Sequence, residues 1–194
     1  MADSKVVSVT SHPAFVLAVL GAASGVLGTY VPGPNWAHDP YPGVFGVLIG
    51  LWFGLVVGFG AWHWGRRSWG AAAAALLATW LGWEAAVNLA LIIRRNWPPA
   101  MSDMLQIPAS GFAAGAVGAL ATWAGVAWFS RSARRGGVAL GVAVVGALFG
   151  LLLPLLTQYD LPAALFVPWQ AAVAASLGWC FATQGGRTTD GREP

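Results

Sequence analysis

The sequence predicts an all-α integral membrane protein, a bundle of six transmembrane helices with the N- and C-termini in the cytoplasm. Three observations carry that expectation. Of 194 residues, 57% are hydrophobic. Only 9% are Asp, Glu, Lys or Arg, against roughly a quarter in soluble domains. The apolar residues gather in six runs, each long enough to cross a bilayer. The mean hydropathy of +0.65 and the single cysteine exclude a disordered tail, a coiled coil and a disulfide-stapled secreted domain. A net charge of +3 does not signal nucleic-acid binding, because the basic residues sit at the ends of apolar runs rather than along one face.

A bilayer core needs about 20 apolar residues of helix. The first run, residues 13–30, opens on Pro13 and carries Gly21 and Gly25. Lys5 ahead of it and Gly21-Ala22-Ala23-Ser24 within it are signal-peptide features, but the run is long for one and reads as an uncleaved first helix. The second run, 43–64, bears Gly46, Gly50, Gly54 and Gly58 at four-residue spacing. The third, 69–93, is the longest and spans with some tilt. The fourth, 107–129, has Gly111 and Gly115. The fifth, 137–157, has Gly137 with Gly141 and Gly146 with Gly150, and the sixth, 162–183, contains Pro168 and Gln170. Only short connections remain, so residues 1–194 read as a single transmembrane domain. In lipid, close approach through small residues replaces the hydrophobic effect, so the glycine ridges are expected to pack internally, with a homodimer or partner-subunit face as the alternative.

Orientation follows from Lys and Arg, which short cytoplasmic loops retain. Lys5, Arg66, Arg67, Arg131, Arg134, Arg135, Arg187 and Arg192 fall on one side, and Arg94 and Arg95 on the other. The first side is therefore expected to be cytoplasmic, and the compact size and short loops suggest a bacterial inner membrane. Arg94 and Arg95 either snorkel to lipid phosphates beside Trp97 or draw an anionic ligand to the outer mouth. Trp36, Trp62, Trp64, Trp69, Trp97 and Trp128 lie near run ends, as interfacial anchors do. Trp52, Trp80, Trp83, Trp123, Trp169 and Trp179 lie deeper, where the indole N–H needs an acceptor, and they either pack or line an aromatic cavity.

Glu84 is the one carboxylic acid within the six runs, and a charge there costs roughly 2.5–3.5 kcal/mol unless protonated or paired. Asn88 follows it by one turn and Trp80 precedes it by one turn, on the same face. Glu84 lies about 13 Å and Gln170 about 12 Å from the outer ends of their runs, by the helical rise. Helices three and six are thus expected to face each other, with Glu84, Asn88 and Gln170 converging on an outer-half polar pocket flanked by Trp83 and Trp80. Pro154 and Pro168 free backbone carbonyls in the same half. Interhelical glue is the alternative role for Glu84.

Signs of an enzyme are weak. His12, His38 and His63 share no helix at metal-ligand spacing and no cysteine pair exists, so neither metal nor cofactor is expected. Asp39, Asp103 and Asp160 are scattered over outer loops, and Asp160, just before Leu161-Pro162, reads as a helix N-cap. Ala109-Ser110-Gly111 resembles the serine motif of rhomboid proteases, which also have six helices in this orientation. Pro108 stands where that motif has glycine, and the sixth run has no histidine base, so Ser110 reads as a helix residue bonding local backbone. Cys180 reads as an apolar filler. The expected function is binding or translocation of a small molecule or ion, with a non-catalytic subunit or scaffold of a larger membrane complex as the alternative. The expected partners are membrane lipid and a second copy or other membrane subunits.

Overall fold

The computed structural model describes residues 12–35, 43–130 and 133–185. Lys5, Trp36, His38, Asp39, Arg131, Arg187 and Arg192 lie outside the described residues. Those described are helical throughout their spans, and six spans are long and apolar enough to cross a membrane. α1 (Pro13–Tyr30) starts on Pro13, where a missing N–H costs nothing, and the His12 Nδ1 accepts from the Ala14 N–H at 3.3 Å. α2 (Val47–Gly60) runs into one π-helical turn, Ala61–Arg66, which stops at Arg67 with φ 51°. α3 (Trp69–Arg95) is followed by α4 (Asp103–Phe129), whose cap Ser102 accepts from the Met104 N–H. α5 (Gly136–Gly150) and the short α6 (Leu153–Tyr159) together make the fifth span, and α7 (Pro162–Gly185) makes the sixth.

The three largest departures from the expected runs each have a local reason. α2 begins at Val47 rather than residue 43 because Gly46 adopts φ 55°, a left-handed conformation that ends an extended segment and starts the helix. α4 begins four residues early because the Ser102 cap recruits a further turn. The fifth run breaks at residues 151–152, where Pro154 has no N–H to offer the Gly150 carbonyl. Asp160 is not the N-cap of α7. It closes α6 instead as a left-handed residue at φ 52°, its N–H bonded to the Leu155 carbonyl.

Chain neighbours are neighbours in space. α1 packs against α2, α2 against α3, α3 against α4, α4 against α5, α5 against α7, and α7 against α1, which closes a ring. α3 and α7 are therefore not adjacent, contrary to expectation, and they meet across the interior through Trp83 and Phe166, edge to face at 5.4 Å. Two seams bring backbones into contact. At α1–α7, a Cβ on Gly21 would stand 2.6 Å from the Gln170 carbonyl oxygen, and one on Gly178 2.5 Å from Ala14 Cα. At α4–α5, Gly111 lies on the Gly150 carbonyl and Gly115 on the Gly146 carbonyl, reciprocally, so none of the four has room for a side chain. Cα–H groups meeting carbonyl oxygens in this way add to close helix packing.

The half of the ring nearer the termini is solid. Leu17, Phe53, Val57, Val142, Val173, Leu177 and Phe181 form a continuous buried cluster there. At that end Arg134 donates to the carbonyls of Ala127 and Trp128, satisfying the end of α4. Leucines such as Leu55, Leu77, Leu81, Leu140 and Leu148 are exposed around the outside, an arrangement compatible with a lipid surround and foreign to a water-exposed surface.

Candidate functional site: a chamber beside a fastened strap

The polar residues of α3 act on one short target, the extended strap of residues 43–46 ahead of α2. Glu84 Oε2 accepts from the Phe45 N–H at 2.9 Å, and the Trp83 indole donates to the Phe45 carbonyl at 2.7 Å. Asn88 Oδ1 accepts from the Gly43 N–H at 3.3 Å, while its Nδ2 donates to the Gly43 carbonyl at 3.0 Å and to the Glu84 carbonyl at 2.8 Å. The strap is completed from the other side, where Asn35 Oδ1 accepts from the Gly46 N–H and the Pro32 carbonyl accepts from Leu48 N–H at 3.0 Å. Non-helical backbone at membrane depth persists only where protein satisfies its polar groups. Glu84 and Asn88 do this, and that is the physical reason for a carboxyl inside an apolar run.

Gln170 belongs to a different place. It is 1% exposed, and its Oε1 accepts from the Ser24 hydroxyl at 2.5 Å, with the Gly21 carbonyl 2.8 Å from the same hydroxyl as an alternative acceptor. This bond ties α1 to α7 beside the Gly21 contact. The convergence of Glu84, Asn88 and Gln170 is thus not observed. Glu84 and Asn88 hold the strap, and Gln170 joins two helices that sequence reasoning did not pair. Trp80 packs over Gly50. Its indole N–H, like Glu84 Oε1, is buried without a hydrogen-bond partner.

Behind the strap lies a chamber of about 340 Å³. Its lining combines small residues of α3 and α4, Ala86, Ala90, Ala114 and Gly118, with the large Leu165, Phe166 and Trp169 of α7 and Leu153 of α6, which packs against the three alanines. Phe45 and Trp83 close the side, and Arg94, Asn35 and Thr157 stand at the end remote from the termini. α5 ends at Gly150 beside this space, and Leu153 and Leu156 of α6 line it. Of the residues expected to bind a ligand, Trp83 lines the chamber; Glu84, Asn88, Gln170 and Trp80 do not. The pocket is also apolar rather than polar. Both indoles in its wall spend their N–H on main-chain carbonyls, Trp83 on Phe45 and Trp169 on Gly146 at 3.0 Å, and turn ring carbon inward.

At the floor, Trp169 rests edge-on against Phe53 at 5.6 Å, and the packed half begins. At the mouth, Gln106 Nε2 donates to the Arg94 carbonyl at 2.7 Å, tying the end of α3 to the first turns of α4. Sequence reasoning missed Phe45, Ala114 and Phe166 as lining residues, and named Trp169 as one of six indoles that either pack or line an aromatic cavity. The signal for them was the contrast of small residues on α3 and α4 with large ones on α7, which becomes a cavity only once the ring order is known.

The other candidates have local roles. Ser110 Oγ donates to the Ile107 carbonyl at 2.8 Å, as a helix residue bonding local backbone. Cys180 is buried with its Sγ on the Ser176 carbonyl. His63 stacks on Phe59 at 5.3 Å, and His12 caps α1 beside Trp179. Among the described residues, no three His, Cys, Asp or Glu side chains gather as metal ligands would. Comparisons with protein-family models, curated proteins and solved structures find no match to this chain.

Proposed function

We propose that this chain is a membrane-embedded binding protein for a small, mainly apolar molecule held in the chamber behind the strap. The observation that carries this reading is the chamber itself. It lies within the 300–1,000 Å³ range of small-molecule sites, mostly apolar with a few placed polar groups. Translocation is the extension of the same reading, and it requires the solid half around Phe53 and Val173 to open. The distribution of Lys and Arg supports termini in the cytoplasm of a bacterial inner membrane, so that the chamber mouth faces outward. Glycine-rich packing at the α4–α5 seam frames the chamber.

A second reading, a subunit of a larger membrane complex, is favoured by one feature. Gly136, Gly137 and Gly141 on α5 have nothing within 4 Å of where a Cβ would stand, and a bare glycine face is what a further transmembrane helix packs against. One experiment tests both readings: native mass spectrometry of protein released gently from its host membrane. A small adduct retained by the wild type and lost in Ala114→Phe, which fills the chamber, supports the binding reading. An identical adduct pattern in the two proteins defeats it, and other chains bound at fixed ratio establish the subunit.

A further inference from the structure

We propose that the chamber receives one hydrocarbon tail of an amphiphile with an anionic headgroup, the tail between Trp83 and Trp169 and the head at Arg94. The proposal rests on the chamber being a binding site and adds the chemistry of the guest.

The walls select the tail. Trp83 and Trp169 have committed their N–H groups to main-chain carbonyls, and Ala86, Ala90 and Ala114 offer methyls. A polar body lodged there loses its hydration without compensation. The dimensions select a chain over a fused-ring system. From Trp83 to Arg94 along α3 the chamber runs about 16 Å at the helical rise. With Trp83 near one end of its lining and Arg94 at the other, that length suits an extended chain.

The mouth selects the head. Arg94 contributes the one charged side chain among the chamber's described lining residues, and its main chain is anchored by Gln106. A guanidinium is donor-only, permanently charged and forked, so it matches a carboxylate or phosphate and repels an ammonium. A cation at one end of an otherwise apolar chamber complements an amphiphile of opposite charge. A free fatty acid and one acyl chain of an anionic phospholipid share this chemistry.

The test titrates the full chain, in nanodiscs of phosphatidylcholine, with decanoate, decanol and decylamine at mildly alkaline pH, reading occupancy by native mass spectrometry. The expected result is one decanoate per chain, bound about tenfold tighter than decanol, the margin of a charge-assisted over a neutral hydrogen bond, with decylamine weakest. Arg94→Gln brings decanoate down to the level of decanol. Arg95→Gln, which removes the same charge one residue away, leaves the preference intact. Replacing part of the phosphatidylcholine by phosphatidylglycerol identifies the source: displacement of decanoate supports an anionic phospholipid guest, and no displacement supports a free acid. Equal binding of the three probes, or equal loss in Arg94→Gln and Arg95→Gln, overturns the headgroup assignment while leaving the binding reading intact. Absence of saturable binding by any probe, in wild type and Ala114→Phe alike, defeats both.

Discussion

The two halves of this ring are made from the same helices and nearly the same residue types, yet one is solid and the other hollow. Toward the termini, Leu17, Phe53, Val57, Val142, Val173, Leu177 and Phe181 interlock. Toward the opposite end, α2 has not yet begun, α5 has already broken at Gly150, and α3 and α4 present alanine and glycine inward. Composition does not separate the halves; continuity of the helices does. Toward the termini the spans run on, α2 through its π-helical turn, and side chains meet at the centre. Where a left-handed Gly46 and Pro154 interrupt two of them, the centre stays open.

That contrast can be broken by substitution. Phe53→Ala in the solid half leaves a cavity with no means of collapse, and about 3 kcal/mol or more of stability should be lost, read as a shifted midpoint in detergent-denaturant titration. The sharpest comparison uses two alanines of α4. Ala119, 0% exposed and set against Gly146, has no space, so Ala119→Leu should cost about 1–3 kcal/mol. Ala114 lines the chamber although Leu153 packs against it, so Ala114→Leu should cost measurably less than Ala119→Leu. If both leucines cost the same, the hollow half is not hollow.

The strap gives an effect of the same order as Ala119→Leu. Glu84→Leu strands the Phe45 N–H and should cost about 1–3 kcal/mol, whereas Glu84→Gln keeps a carbonyl acceptor and should recover most of that loss in the same titration. Loss in Glu84→Gln equal to that in Glu84→Leu would mean that the carboxylate serves something other than this N–H. A small effect is also expected of Ser24→Ala, where loss of the bond to Gln170 should cost about 0.6 kcal/mol, the average of interhelical hydrogen bonds in membranes.

Much of this was legible beforehand because bilayer thickness imposes its length on the sequence. α1 occupies the residues expected of the first run, and α3, α4 and α7 start or end where the third, fourth and sixth runs do. Glu84 and Asn88 announced themselves as polar residues requiring partners. Their partners did not, because Gly43 and Phe45 offer only main-chain groups, which every residue has. Gly46 read as one more glycine of a packing ridge, since nothing local distinguishes a glycine needed for φ from one needed for closeness. Gln170 was assigned to the wrong neighbour for a similar reason. Depth along a span can be counted, but helices that are apolar on every side carry no mark of which face meets which helix, and Ser24 is too small to stand out as an acceptor's partner.

Phe45 faces two ways at once. Its side chain lines the chamber, while its N–H and carbonyl are gripped by Glu84 and by Trp83, itself a chamber wall. Thermodynamic reciprocity then applies: a guest that settles the Trp83 ring also strengthens the grip on the strap, and a looser grip weakens the hold on the guest. On the proposed binding role, amide hydrogen exchange at Phe45 becomes a gauge of occupancy that needs no label on the guest, expected to slow as the chamber fills and to quicken as it empties.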